Sequence, residues 1–226
     1  PKFPPHAALR LLLTVDDPAG GAAARRTLDA MTAGGIHDQL GGGFFRYSVD
    51  LDWRLPHFEK MLSDNAQLLS AYALAYAGAS DERVRDRYRR VVTGIVGWLE
   101  RELATTSVAD GTDEIAFFSA LDADSEGEEG RFYAWTEAEF TQVVGAWAQG
   151  AALPGVTPEH VVSLVARHYG VTAAGTFEGG TVLREARSTT QLAHDDGLAE
   201  DVVEGAVHGA SRALFQHRST RQRPAT

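Results

Sequence analysis

Residues 34–66 read GGIHDQLGGGFFRYSVDLDWRLPHFEKMLSDNA and form a glycine-rich, polar segment between regions of helical periodicity. Glycines at positions 34, 35, 41, 42 and 43 let the backbone turn and approach other groups closely. The polar and aromatic side chains around them are His37, Asp38, Gln39, Arg46, Tyr47, Asp50, Asp52, Trp53, His57, Glu59, Lys60, Asp64 and Asn65. Such a set can bind a polyhydroxylated ligand, so the segment predicts a pocket more clearly than it predicts a reaction.

Helical periodicity dominates on both sides of this segment. Apolar spacing predicts an antiparallel pair of helices at 6–15 and 22–33, separated by turn-forming residues at 16–21. After the segment we predict a helix over 58–78, and then another helix for which Ser80, Asp81 and Glu82 give start signals.

The second half of the chain mixes helices with one β excursion. Aromatic and small residues at 115–121 and 131–135 flank an acidic loop and predict two short strands in a hairpin. Thr136 and Glu139 resemble a capping box that opens a further helix. We also predict a loop at 145–158 and helices at 158–169 and 200–217. The expected fold class is all-α with a short β-hairpin excursion.

The composition limits the classes of function. With 226 residues, 44% of them hydrophobic, the chain can form one compact domain with a sizeable core. Its formal charge of −10 disfavours nonspecific binding to nucleic acid or membranes, and suits a small neutral or cationic ligand better. The absence of cysteine excludes disulfides, thiolate metal sites and CxxC redox chemistry within this sequence. No apolar stretch approaches the ~20 residues of a membrane span, and we expect a cytoplasmic protein.

Four segments, in order, carry a resemblance to a known family. They are GGIHDQLGGGFFRYSVD at 34–50, PHFEKML at 56–62, DNA at 64–66 and ALDADSEGEEGRFYAWT at 120–136. With them the chain resembles the thioredoxin-domain-containing family related to spermatogenesis-associated protein 20. In that family a thioredoxin-like domain precedes a helical toroid similar to six-hairpin glycosidases and N-acylglucosamine 2-epimerases. One departure is Phe45, where the family commonly has a histidine before the Arg-Tyr-Ser run.

The resemblance implies that 1–226 is a single helical domain, the first half of an (α/α)6 toroid, without the thioredoxin-like domain. Because a half ring would expose apolar surface at its open ends, we expect the chain to be either a fragment or completed by a second copy or another polypeptide. The implied activity is that of a carbohydrate-active domain, either a sugar epimerase or isomerase or a glycosidase. The alternative is a noncatalytic interaction module that couples a thioredoxin-like domain to a partner.

His57, Asp38 and Asp64 are the candidate catalytic residues, and the resemblance carries most of this assignment. A histidine with an ordinary pKa of ~6.5 can accept or donate a proton at neutral pH, while a carboxylate orients it or acts as a second acid or base. A helix that starts near Pro56 would place Lys60 and Asp64 on one face at i,i+4 spacing. The structural alternative is that Lys60 and Asp64 form a surface ion pair and that His57 is a hydrogen-bonded interior group.

The candidate ligand-binding residues are polar groups and aromatic rings, as a sugar site requires. They are His37, Gln39, Arg46, Tyr47, Trp53, Glu59, Asn65, Asp122 and Asp124. The alternative is that Arg46 and Asp50 form a structural ion pair while the aromatic rings seal the wall of the domain. Asp122 and Asp124 belong to an acidic loop that either reaches over the toroid mouth or is an ordinary surface loop.

Other kinds of site have little support. DADSEG at 122–127 resembles the start of a calcium loop, but position twelve of that loop falls on Tyr133 instead of a glutamate. The histidines lack the spacings of a zinc site, and there is no phosphate loop, nucleophile elbow or dinucleotide fingerprint. We therefore predict no metal and no cofactor, with a small sugar as the ligand.

Overall fold

The computed structural model describes residues 1–109 and 112–226. Within these ranges the chain is mostly helical, with eight α-helices and four two-stranded sheets, so the predicted all-α class is confirmed at this level. The chain divides into two compact units, residues 1–130 with 224–226 and residues 131–223. The single helical domain over 1–226 stays a prediction.

The first unit contains α1 (His6–Thr14), α2 (Pro18–Ala33), α3 (Leu62–Ala77) and α4 (Glu82–Trp98). A short π-helical segment, Leu99–Leu103, continues α4. α1 packs against both α2 and α3, and α3 packs against α4. His6, the first residue of α1, lies beside Asp64 in the first turn of α3, which matters for the site described below.

Capping residues explain where α2 and α4 begin. The Asp17 carboxylate accepts a hydrogen bond from the amide of Ala19 (3.1 Å), and Pro18 occupies the first helical position. α2 therefore begins at Pro18, earlier than the predicted residue 22. Of the start signals predicted at 80–82, Asp81 is the residue that caps α4, because its carboxylate accepts a hydrogen bond from the amide of Val84 (3.1 Å).

Short antiparallel strands pair in twos. In chain order they are β1 (Tyr47–Ser48), β2 (Pro56–His57), β3 (Lys60–Met61), β4 (Ala104–Ala109), β5 (Thr112–Phe117), β6 (Ala120–Leu121), β7 (Asp124–Ser125) and β8 (Glu128–Glu129). The pairs are β1 with β2, β3 with β6, β4 with β5, and β7 with β8. The hairpin predicted between 115–121 and 131–135 is wrong, because β5 pairs with the preceding strand and Trp135 forms an isolated bridge with Thr181.

The start of α3 also differs from the prediction. The helix begins at Leu62 instead of 58, and the residues before it are extended in β2 and β3. β2 pairs with β1 in a local hairpin and β3 pairs with the distant strand β6, and these backbone hydrogen bonds outweigh the helix-start signal of Pro56. As a result, Lys60 and Asp64 do not share a helix face.

Two glycines allow the polar segment to pack closely against α4. A Cβ on Gly42 would lie 2.3 Å from the carbonyl oxygen of Gly94, and a Cβ on Gly43 would lie 2.9 Å from the ring of Trp98. Both glycines have positive φ, 75° and 77°, which glycine adopts without strain. Close approach and backbone conformation therefore both require glycine here.

Aromatic side chains of the segment complete the core of the first unit. The ring of Phe44 stacks on Tyr72 at 5.4 Å, and Phe45 meets the edge of Phe58 at 5.2 Å. All four side chains are buried. The position at which the resembled family commonly has a histidine is thus an apolar core position in this chain.

The second unit contains α5 (Glu137–Gly150), α6 (Pro158–Tyr169), α7 (Thr189–Asp196) and α8 (Glu200–Arg218). The predicted bounds of α6 are confirmed, and α8 ends one residue beyond the predicted 217. Thr136 caps α5, since its hydroxyl accepts a hydrogen bond from the amide of Glu139 (3.2 Å). α5 extends into the loop predicted at 145–158, and α7 lies in a polar stretch for which no helix is predicted.

Within the described part of the chain, no helix combines the length and the apolar character that crossing a bilayer requires.

Candidate functional site

The structure places Asp38 and Lys60 in the interior, as a buried ion pair. Lys60 Nζ donates hydrogen bonds to Asp38 Oδ2 (2.8 Å) and to the carbonyl oxygen of Gly42 (2.9 Å), and its side chain is 1% exposed. Asp38 Oδ1 accepts hydrogen bonds from the amides of Leu40 (3.1 Å) and Gly41 (3.0 Å). The alternative of a surface ion pair between Lys60 and Asp64 is therefore wrong. The observed pair fixes the glycine turn to β3.

His37 and Gln39 bind the end of α2. Gln39 Nε2 donates hydrogen bonds to the carbonyl oxygens of Thr32 and Gly34, each at 2.9 Å. His37 Nδ1 lies 3.2 Å from the same Thr32 oxygen and, as the only possible donor of the two, donates to it. Burial lowers the pKa of His37 to about 4, so this imidazole is neutral at pH 7.

Asn65 and Trp53 are also interior groups. The Asn65 side chain accepts a hydrogen bond from the amide of Phe44 (2.7 Å) and donates to the carbonyl oxygens of Phe44 and Met61, each at 2.9 Å. Trp53 is 3% exposed, and the ammonium of Lys2 lies 3.9 Å from its ring centroid. The contacts of both residues fit a role in shaping the segment, and the structure gives neither an open face toward solvent.

A second set of predicted residues comes together on the surface of the first unit, around His57. His57 Nδ1 lies 2.7 Å from Glu129 Oε1, and its Nε2 lies 3.8 Å from Glu59 Oε2. The imidazole stacks on the ring of Tyr47, with 4.8 Å between centroids and 20° between planes. The pairing of β1 with β2 causes this stacking, because it places Tyr47 directly opposite His57.

Arg46 joins the same group through Glu59. Its guanidinium donates a hydrogen bond to Glu59 Oε2 (2.7 Å), and its amide donates to the Glu59 carbonyl oxygen (2.8 Å). The hydrogen bond to the Glu59 carboxylate and its charge raise the pKa of Arg46 above its usual value. The alternative of an ion pair between Arg46 and Asp50 is wrong, because Asp50 instead accepts hydrogen bonds from the backbone amides of Asp52, Arg54 and Leu55.

Asp64 lies at the edge of this group, in the first turn of α3. Its Oδ1 is 4.0 Å from His6 Nε2, where α1 packs against α3. Burial raises the pKa of Asp64, while the charges of His6 and Arg46 oppose this shift. Burial likewise lowers the pKa of His6. We call Arg46, Tyr47, His57, Glu59, Asp64 and Glu129 the His57 cluster.

The acidic loop reaches the His57 cluster through a different residue from those predicted. Asp122 turns back on its own loop and accepts a hydrogen bond from the amide of Ala123 (2.7 Å), while Asp124 is exposed in β7. Glu129 makes the contact with His57 and also accepts a hydrogen bond from the amide of Phe58 (3.3 Å). The sequence signal for this contact is weak, because 72 residues separate His57 from Glu129.

His6 is the other residue of this region that the sequence did not single out. It lies 4.0 Å from Asp64 in the structure although it belongs to the first predicted helix. Across the described ranges, no group of three or more histidine, aspartate or glutamate side chains has an arrangement that could hold a metal ion.

Comparison with known proteins identifies relatives of the whole chain. Spermatogenesis-associated protein 20 of Homo sapiens is 35% identical over 99% of this chain and 30% of its own length. The Mus musculus protein of the same name is 34% identical over 98% of this chain and 29% of its own length. An uncharacterised protein of Caenorhabditis elegans is 29% identical over 99% of this chain and 32% of its own length.

No protein-family model matches the chain. The identities to the two mammalian proteins nevertheless confirm the resemblance inferred from the four sequence segments. The chain spans less than a third of the length of these relatives.

Proposed function

Because this chain belongs to the family of spermatogenesis-associated protein 20, we propose that its first unit carries a sugar-binding site centred on the His57 cluster. The observation that carries this proposal is the position of the His57 imidazole between two carboxylates, at 2.7 Å from Glu129 and 3.8 Å from Glu59. The His57 side chain is 28% exposed, so a ligand can reach it. Hydroxyl groups of a sugar would find acceptors, a guanidinium donor and an aromatic ring within one small area.

The contacts of His57 also suit it to proton transfer. If Nδ1 donates its hydrogen to Glu129, Nε2 is the acceptor nitrogen of the imidazole, and it lies 3.8 Å from Glu59 Oε2. Glu129 then orients the base, as carboxylates do in many acid–base sites. Asp64, at the edge of the cluster, is the second carboxylate of the proposal and would bind and orient the ligand. Proton transfer at a positioned imidazole is what epimerisation beside a carbonyl or hydrolysis of a glycosidic bond needs.

The proposal gives the interior residues a different task. The glycine-rich segment is held in place by side-chain hydrogen bonds in the interior of the first unit. The residues that make them are Asp38, His37, Gln39 and Asn65. Their work is to position Arg46 and the neighbouring strands. Direct contact with the ligand falls to the exposed side chains of the His57 cluster.

We propose further that the helices of this chain form part of an (α/α)6 toroid. The support is the family relationship together with the predominance of helices joined in sequence. Since the chain spans less than a third of its relatives, the remainder of such a ring would come from additional polypeptide or from a second copy.

A thermal-shift titration against neutral monosaccharides tests the sugar site. A ligand that binds the native state at ten times its Kd stabilises the protein by about 1.4 kcal/mol, which raises the melting temperature. We expect one sugar to produce this shift and His57→Gln to abolish it, while the exposed control His208→Gln retains it. An unshifted, sharp melt with every sugar would contradict the proposal.

A noncatalytic interaction module is the second candidate, and exposed apolar side chains favour it. Phe3, Val49 and Leu51 are 53%, 57% and 81% exposed on the first unit, near the β1–β2 hairpin. Polar substitution of Val49 and Leu51 would weaken partner binding in this case, whereas His57→Gln would leave it unchanged. The two candidates therefore respond to different substitutions.

A further inference from the structure

The carboxylates of the His57 cluster are not equally satisfied. Glu59 is paired with the Arg46 guanidinium at 2.7 Å, and Glu129 accepts hydrogen bonds from His57 and from the amide of Phe58. Among the residues that the structure describes, Asp64 accepts no hydrogen bond, and its Oδ1 lies 4.0 Å from His6 Nε2, beyond hydrogen-bonding distance. Asp64 is thus the carboxylate of the cluster that can accept hydrogen bonds from a ligand.

The charged groups near Asp64 leave it short of a cation. His6 faces it from α1, and Arg46 and Glu59 face it from the preceding segment. The Arg46 charge is already shared with Glu59, and burial holds His6 toward its neutral form. Burial also raises the pKa of Asp64: its side chain is only 18% exposed, and the nearby positive charges offset the loss of water only in part.

The lysines of this unit do not supply the missing charge, since both are engaged elsewhere. Lys60 Nζ is bonded to Asp38 in the interior, and Lys2 Nζ donates to the carbonyl oxygen of Leu51 at 2.6 Å. The His57 cluster therefore presents three carboxylates against one guanidinium. An anionic ligand would be repelled here, and a cationic one attracted.

We infer that the site takes a sugar that bears a primary ammonium group, and that Asp64 receives this group. The inference rests on the proposed sugar site and names its substrate class. An ammonium has three donors and a full charge, which matches a carboxylate that lacks both a donor and a counter-ion. The apolar face of the ring would lie on Phe3, which is 53% exposed and whose ring centroid is 4.9 Å from that of Tyr47.

The test compares three probes of one ring shape by isothermal titration of the whole chain at pH 6.5 and low salt. They are D-glucosamine, D-glucose and D-glucuronate, which carry a cation, no charge and an anion. We expect D-glucosamine to bind about tenfold or more tightly than D-glucose, because a hydrogen bond to a charged group contributes about 1.5 kcal/mol or more. Asp64→Asn should remove this preference, so that D-glucosamine and D-glucose bind the variant with similar affinities.

The matched control is Asp16→Asn, which makes the same chemical change at an exposed carboxylate of the same unit. It should retain the preference, which separates recognition at Asp64 from attraction to the overall charge of −10. Equal affinities for D-glucosamine and D-glucose, or tighter binding of D-glucuronate, would overturn the inference and leave the sugar site standing. A lack of binding by all three probes would overturn both.

Discussion

The buried ion pair predicts that Lys60→Met destabilises the protein strongly. Methionine keeps most of the apolar volume of the lysine stem but removes the ammonium 2.8 Å from Asp38 Oδ2. The Asp38 side chain is 3% exposed, so water cannot replace the lost partner without opening the fold. Removal of one partner from a buried pair costs about 3–5 kcal/mol.

The contacts of Asp38 place the expected loss at the lower end of that range. Asp38 keeps its hydrogen bonds from the amides of Leu40 (3.1 Å) and Gly41 (3.0 Å), which stabilise its charge in the variant. We therefore expect a loss of about 3 kcal/mol in the free energy of unfolding. Addition of Asp38→Asn should recover part of this loss, because an amide is neutral and avoids an unpaired buried charge.

Urea denaturation followed by circular dichroism measures this loss. With a slope of about 2 kcal/mol per molar urea, a loss of 3 kcal/mol lowers the midpoint by about 1.5 M. Lys2→Met is the matched control, since it removes an ammonium from a surface contact and should change stability by less than about 1 kcal/mol. If Lys60→Met were as mild as Lys2→Met, or if the double variant were less stable than Lys60→Met, the reasoning would be refuted.

Three further predictions concern the same segment. Burial lowers the pKa of His37 to about 4, so between pH 6.5 and 4 the unfolded state binds more protons than the folded state. Up to about 3 kcal/mol of stability that is present above pH 6.5 is therefore lost as the pH falls. His37→Gln should flatten this pH dependence in urea melts. Gly43→Ala should lose about 2 kcal/mol in thermal unfolding, and Gly127→Ala less, because both glycines have positive φ but only Gly43 would place a Cβ against a tryptophan ring. Asn65→Leu should cost about 2–4 kcal/mol, because the buried amide and carbonyl of Phe44 lose their partner; wild-type melting temperatures in this variant would show that the side chain is not needed.

Local signals were sufficient to predict most helices. Asp81 and Thr157 cap α4 and α6 by accepting amide hydrogen bonds, and both helices begin where the sequence indicates. α7 carries an equally local signal, because Ser188 and Gln191 form a capping box, and the sequence contains it in readable form. Its eight residues are too few to show clear apolar periodicity, which explains why it escaped prediction.

Nonlocal contacts account for the larger errors. Pro56 is a sound helix-start signal by itself, but the pairing of β3 with the distant strand β6, together with the local pairing of β2 with β1, keeps the backbone extended until Leu62. The same change of structure separates Lys60 from Asp64 and turns the former inward to Asp38. A pairing between residues 22 apart leaves no periodic trace in the sequence.

The candidate site was predicted as a segment but not as an arrangement. Arg46, Tyr47, His57 and Glu59 do meet, because β1 and β2 pair within the segment itself. Glu129 comes from a strand more than 70 residues away, and its contact with His57 depends on how β7 and β8 fold back. The sequence therefore indicated that polar and aromatic residues are concentrated in this segment, while the tertiary structure determined which carboxylate contacts the His57 imidazole.

The polar residues of the segment thus form two layers with separate consequences. The inner layer, Asp38, Lys60 and Asn65, fixes the backbone, and its disruption should lower stability and ligand affinity together. The outer layer, represented by His57 and Asp64, is partly exposed and holds the backbone through few bonds of its own, so its substitution should lower affinity at nearly constant stability. Stability and ligand affinity should therefore be measured for variants of both layers. The two results together distinguish a binding site built on a rigid support from a surface whose polar residues serve only to fold the loop.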